Sequence, residues 1–221
     1  MFGPHDLARR PARPTARELA RELTAVVADL PRFATAPLRR RRHLRWGATV
    51  AELATVMPGD ELLGQVAYEC TRAITIDAPP EDVWPWLVQV GCLKAGFYAD
   101  DLLDNLGHPS ARSILPEHQH LEPGQWVPMS HTPTDATAFR VAGFDPGAWL
   151  LWQQPLSTWS WTLTELPGRR TRLVTRLRAR RDWRHPGPAL LSLLLLEVGD
   201  FPMMRRMLLG IRERAEARAA P

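Results

Sequence analysis

The chain is poor in cysteine. It has two, Cys70 and Cys92, in 221 residues. That is too few for a disulfide framework, and each reads as a buried thiol. Lysine is nearly absent: Lys94 stands against 27 arginines, a bias that GC-rich coding explains better than selection of the guanidinium fork. Long apolar runs are missing too. The longest, residues 188–196, falls short of the roughly 20 residues a spanning helix needs, and no secretory h-region follows Met1. The expectation is a soluble, cytoplasmic protein. There is no glycine-rich phosphate loop, no nucleophile elbow and no His-x-x-x-His metal pair, so no cofactor is expected.

What is present suits one globular domain with an appendage. Hydrophobic content is 45%, enough for a sizeable core. Charge is uneven: residues 1–46 carry a net +7 and residues 47–221 a net −3. The basic character therefore belongs to an Arg/Pro-rich extension, residues 1–44, and the body, residues 45–221, is near neutral. Residues 1–14 show no periodicity and read as disordered. Thr15 and Glu18 form a capping box, behind which Leu19, Leu23, Val26, Val27 and Leu30 share one helical face. That stripe suits packing on the body. A membrane-surface helix is the alternative, but Glu18 and Glu22 beside Arg17 and Arg21 leave its polar face weakly cationic. The basic run at residues 38–45 has no nucleic-acid motif with it, so no nucleic-acid partner is expected.

The chain is organised around residues 72–91. Arg72, Ile74 and Ile76 point one way and Ala73 and Thr75 the other, the period of a strand with one buried face. Pro79 and Pro80 suit a helix first turn, with Asp77 as its cap and Glu81 and Asp82 near its positive end. Val83, Trp84, Leu87 and Val90 then recur at helical spacing. Pro85 bends this helix and Gly91 ends it. A short helix is expected over 97–106 and loop over 115–124.

Strands follow at 125–129, 138–145, 148–153, 157–166 and 170–180. In the fourth, Trp159, Trp161 and Leu163 alternate with Thr158, Ser160, Thr162 and Thr164. In the fifth, Leu173, Thr175, Leu177 and Ala179 alternate with Arg170, Arg172, Arg176, Arg178 and Arg180. This predicts an antiparallel sheet with one dry and one wet face, the arginine row being solvated. Residues 188–198 are apolar nearly all round and read as a buried helix. Asp200 then caps a second segment with Pro202 in its first turn. Met204, Leu208, Ile211 and Ala215 form that segment's apolar stripe.

Residues 75–91, TIDAPPEDVWPWLVQVG, resemble the first strand and helix of the START-like superfamily, also called SRPBCC or polyketide cyclase/dehydrase-like. The resemblance runs on through Gly96-Phe97-Tyr98, residues 101–105 and 114–117, and ends in residues 201–216. Upstream it takes in residues 45–49 and 58–61. It implies an α+β helix-grip fold, a curved antiparallel sheet wrapped around a long C-terminal helix, here with an extra N-terminal helix. It also implies a cavity between sheet and helix that holds a hydrophobic or aromatic small molecule. The superfamily includes carriers, cyclases and proteins of no known role, and no cyclase-specific motif matches, so it transfers no catalytic residue.

The candidate ligand-binding residues divide by chemistry. Nine tryptophans and six methionines offer an apolar wall, with Trp152, Trp161 and Met204 facing the expected cavity. Pockets are mostly apolar with a few placed polar groups, and Gln89, Tyr98, Asp101, Asn105, Glu117 and Glu197 are the candidates. Each but Glu197 also has a plain structural role available, as a helix-end bond, a core phenol or a solvated side chain. Glu197 ends a run of four leucines, where an unpaired carboxylate would be costly. It reaches solvent, pairs with an arginine, or lines the cavity. His118 and His120, with Glu117 and Glu122, are close enough in sequence to suggest a metal, but loop polarity explains them equally. Binding is the first reading. A cyclase/dehydratase-type enzyme, with a Tyr, Glu or Asp moving protons in the same cavity, is the second.

Overall fold

The computed structural model describes residues 40–180 and 199–219, with residues 15–17, 20, 23, 24 and 27 ahead of them. The 188–198 helix, Glu197 and the 1–14 segment lie outside the described residues. Helix α1 spans Arg40–Leu44 and α2 Val50–Ala54. Strand β1, Tyr68–Ile76, feeds α3, Pro80–Val88. After α4, Asp101–Asp104, come β2 (Trp126–Pro128), β3 (Ala138–Asp145), β4 (Trp149–Gln154), β5 (Ser157–Leu166) and β6 (Arg170–Ala179). Helix α5, Asp200–Ala219, closes the chain.

The six strands form one curved antiparallel sheet in the order β1-β6-β5-β4-β3-β2, gripping the C-terminal helix as the helix-grip fold requires. The alternation seen in sequence sets the faces. Ile74, Ile76, Trp159, Trp161, Leu163, Leu173 and Leu177 join one buried cluster with Met204, Leu208, Ile211 and Ala215 of α5. Helix α5 packs chiefly on α3 and β1. Gly210 makes part of that approach possible: a Cβ there would fall on the Tyr98 carbonyl oxygen. Both cysteines are buried and free.

Several local expectations are corrected. The cap of α3 is Pro79, with no side-chain bond; the Asp77 N–H instead donates to Glu216 at 3.0 Å. Helix α3 stops at Val88, ahead of Gly91. The helix expected over 97–106 shrinks to Asp101–Asp104, because Tyr98 takes a positive φ of 59° that no helix continues through. Residues 116–118 make a 3-10 turn within the expected loop. Leu23 and Val27 of the N-terminal stripe are exposed, so these two do not pack on the body.

The largest correction concerns the middle of the arginine row; Arg170 and Arg180 at its ends are exposed, as expected. Arg176 is 4% exposed, and Arg172 and Arg178 are mostly covered. They clamp the chain of residues 47–64 onto the sheet's second face. Arg172 pairs with Glu52 at 2.6 Å and donates to Gly47 O at 2.6 Å. Arg176 donates to the carbonyls of Glu52, Leu53 and Thr55 and pairs with Asp60. Arg178 reaches Glu69 at 2.9 Å and the carbonyls of Asp60 and Gly64. Carbonyls freed by turns need donors, and a guanidinium is the side chain with enough of them. Under this strap Met57, Ala73 and Val174 form a second small core.

Candidate functional site

Three strands build a wall of aromatic rings on the sheet's dry face. Trp152 on β4 stands opposite Trp159 on β5, and Leu150 opposite Trp161. Phe139 comes from β3. The ring centroids of Trp152 and Trp161 are 5.6 Å apart, those of Trp159 and Trp161 5.2 Å, and those of Phe139 and Trp159 5.7 Å. The wall is dry, yet its polar edges are treated unequally. The Trp159 indole N–H donates to Thr175 Oγ1 at 2.8 Å. The indole N–H groups of Trp152, Trp161 and Trp86 are buried with no acceptor among the described residues. Buried donors are nearly always paired, and each one left bare costs about 1–3 kcal/mol.

The polar residues expected around a cavity are scattered by the structure into separate roles. Gln89 is fully buried and ties down three points of the one loop between α4 and β2: it donates to Ser113 O at 3.2 Å and accepts from Leu115 N at 2.9 Å and Gln119 at 3.1 Å. Tyr98 donates its hydroxyl proton to Trp86 O at 3.0 Å, and burial pushes its pKa up. Asp101 accepts from the N–H and hydroxyl of Ser110. Asn105 accepts from Leu93 N at 2.9 Å and donates to His108 O at 2.7 Å. Glu117 is exposed. Met204, Trp152 and Trp161 lie in the core, as the pattern requires. His120 pairs with Glu122 at the surface, and among the described residues no group of three potential ligands is placed to hold a metal.

A buried polar cluster escaped the sequence reading. Arg72, 1% exposed, pairs with Asp200 at 2.6 Å. Asp200 also accepts from the Tyr68 hydroxyl at 2.8 Å, and Arg72 Nε donates to His43 O at 2.9 Å. Asp200 is thus an ion-pair partner rather than a helix cap. Burial alone would lower the Arg72 pKa, but the Asp200 carboxylate outweighs it and raises it. Burial also raises the pKa of Tyr68 and pushes the Cys70 thiol up to about 11, so neither ionises near neutrality. The signal was available: Arg72 shares the Ile74/Ile76 face, and a charge on a buried face demands a partner.

Two open clefts flank the outer side of α5. One, about 410 Å³, is lined by Trp86, Ile114, Ala217 and Arg214 among others. The other, about 340 Å³, lies between Tyr98, Ser110, Arg206 and Gly210. Arg112, Glu213 and Arg214 border both. Among the described residues no helix is long and apolar enough to cross a membrane.

No family model and no curated protein matches this chain. Solved structures of similar shape include a protein of Mesorhizobium loti, 16% identical, covering 70% of this chain and 100% of its own, with a TM-score of 0.39. They also include CalC, a self-sacrificing resistance protein of Micromonospora echinospora, 11% identical over 69% of this chain and 96% of its own, TM-score 0.38. A polyketide-cyclase-like protein of Corynebacterium glutamicum is 15% identical over 71% of this chain and 91% of its own, TM-score 0.37. The last bears the family name that the sequence resemblance gives. At such identities and TM-scores the likeness carries no weight on function, and the helix-grip fold stands on this chain's own sheet and helix.

Proposed function

We propose that the chain binds a flat, apolar small molecule carrying oxygen acceptors, seated against the tryptophan wall between sheet and C-terminal helix. The observation that carries this is the pair of buried indole N–H groups on Trp152 and Trp161 with no acceptor among the described residues, their ring centroids 5.6 Å apart. Phenylalanine at either position would fill similar space without leaving a donor bare. A ligand carbonyl or ether oxygen satisfies such donors, and the tryptophan rings supply the apolar contact.

The cyclase/dehydratase alternative needs a carboxylate and a hydroxyl converging on the ligand. The Tyr98 proton is committed to Trp86 O, Asp101 is engaged by Ser110, and Glu117 is exposed. Binding without chemistry is the reading these contacts favour. The test is calorimetric titration with 9-fluorenone and with fluorene, which share a shape and differ in one carbonyl. The ketone should bind roughly tenfold tighter, the worth of one buried hydrogen bond, and Trp161→Phe should shrink that margin. Equal affinity for the two, or no binding of either, contradicts the proposal.

A further inference from the structure

Arg214 on α5 holds a positive charge that no carboxylate among the described residues pairs with. Its Nε donates to Ala111 O at 2.8 Å and its Nη1 to Gly210 O at 3.1 Å, and the guanidinium lies over the Tyr98 ring, 4.6 Å from the centroid. These contacts fix the group in place and leave Nη2 without a hydrogen-bond partner among the described residues. The other arginines along this helix face are neutralised: Arg206 by the buried Asp100, Arg218 by Asp82 at 2.9 Å. Arg112 borders the same cleft from the facing loop, is exposed, and pairs with no described residue. Glu213 and Asp101 are felt by Arg214 at longer range. Asp101, however, is occupied by Ser110, and Glu213 stands exposed at the rim.

Burial, with Arg112 adding to it, pushes the Arg214 pKa below the ordinary arginine value. Two guanidinium groups face one cleft, one of them partly desolvated and fixed by carbonyls. An oxyanion relieves that arrangement, and the planar guanidinium fork matches a carboxylate. Next to this charge the cleft turns apolar, with Trp86, Ile114 and Ala217 in its lining and a volume of about 410 Å³, within the range of small-molecule sites.

We infer that the cleft between α5 and residues 110–114 binds an aromatic carboxylate, its carboxylate on Arg112 and Arg214 and its ring against Trp86, Ile114 and Ala217. The site is separate from the tryptophan wall and does not depend on what binds there.

The experiment is calorimetric titration of the full chain with 2-naphthoate, with the uncharged 2-naphthamide and with 2-naphthyl phosphate. The carboxylate should bind at least tenfold tighter than the amide. Arg112→Gln should abolish that margin without changing the melting temperature, since the Arg112 side chain holds no other group. Glu213→Gln, which removes a like charge from the rim, should tighten carboxylate binding several-fold. Trp161→Phe should leave it unchanged. Equal binding of carboxylate and amide, or a margin that survives Arg112→Gln, overturns the inference. Loss of 2-naphthoate binding in Trp161→Phe would move the probe to the interior and overturn it as well. Tighter binding of the phosphate by tenfold or more would overturn the assignment to carboxylates.

Discussion

Trp159 and Trp161 stand two residues apart on one face of one strand and differ by a single hydrogen bond. Trp159 has Thr175 as an acceptor; Trp161 has none. Replacing each by phenylalanine removes similar volume, but only Trp159→Phe breaks a bond, although the Thr175 hydroxyl keeps its own donation to Ser160 O at 3.0 Å. In urea unfolding, Trp159→Phe should therefore cost about 1–2 kcal/mol more than Trp161→Phe. Equal losses, or the reverse order, would contradict the different status of the two N–H groups. Arg72 makes the complementary case. Asp200→Asn leaves a buried guanidinium without its counter-charge and should cost about 3–5 kcal/mol. The double variant Arg72→Met, Asp200→Leu removes both charges and should recover much of that loss; a double variant as unstable as the single one would refute this. The indole N–H groups were not legible in the sequence, because their satisfaction depends on cross-strand neighbours. Arg72 was half legible: its face was read correctly, its partner more than a hundred residues away was not.

At the scale of elements, strands were the most legible part, since β5 and β6 alternate without interruption and short turns fix their pairing. The strap of residues 47–64 was not. Its arginine clamps read as a solvated face because alternation tells which residues share a side, not what covers it. The Thr49-x-x-Glu52 spacing by itself spells a capping box, a local signal, and the box is present. The same Glu52 then serves β6. The hydrogen bond from Arg172 holds its pKa well down, to about 2 against an ordinary 4.5, although partial burial opposes this. A depressed folded-state pKa contributes stability in full above about pH 4.5, which fades as pH falls and is gone near pH 2. Glu52→Gln should be destabilised at pH 7 and should converge with the parent near pH 2 in urea unfolding across that range. A gap independent of pH would show that the carboxylate charge is not what holds the strap. Helix α5 offers a steric counterpart. Gly210→Ala, ordinarily favourable in a helix, should lower the melting temperature by several degrees, because the new methyl meets the Tyr98 carbonyl. An unchanged or higher melting temperature would mean that loop and helix are not in close contact.

For the whole molecule, the helix-grip arrangement was readable because residues 72–91 and the final helix both carry strong local patterns. Of the residues expected to line a cavity, the apolar and the polar ones part company. Trp152, Trp161 and Met204 lie in the core, whereas Gln89, Asp101 and Asn105 proved to be loop ties. Their spacing in sequence looks alike whether a side chain faces a ligand or a backbone amide. The described groups leave two kinds of unmet demand: bare donors on the inner wall and unpaired guanidinium groups at the outer cleft. The inner demand is the central claim, and the indole N–H signals in a nitrogen-15 correlation spectrum report on it directly. On titration with 9-fluorenone, the Trp152 and Trp161 indole signals should move downfield while that of Trp159, already bonded to Thr175, stays in place. Uniform small shifts of all three, or shifts that fluorene reproduces in full, would contradict an acceptor-bearing ligand on this wall.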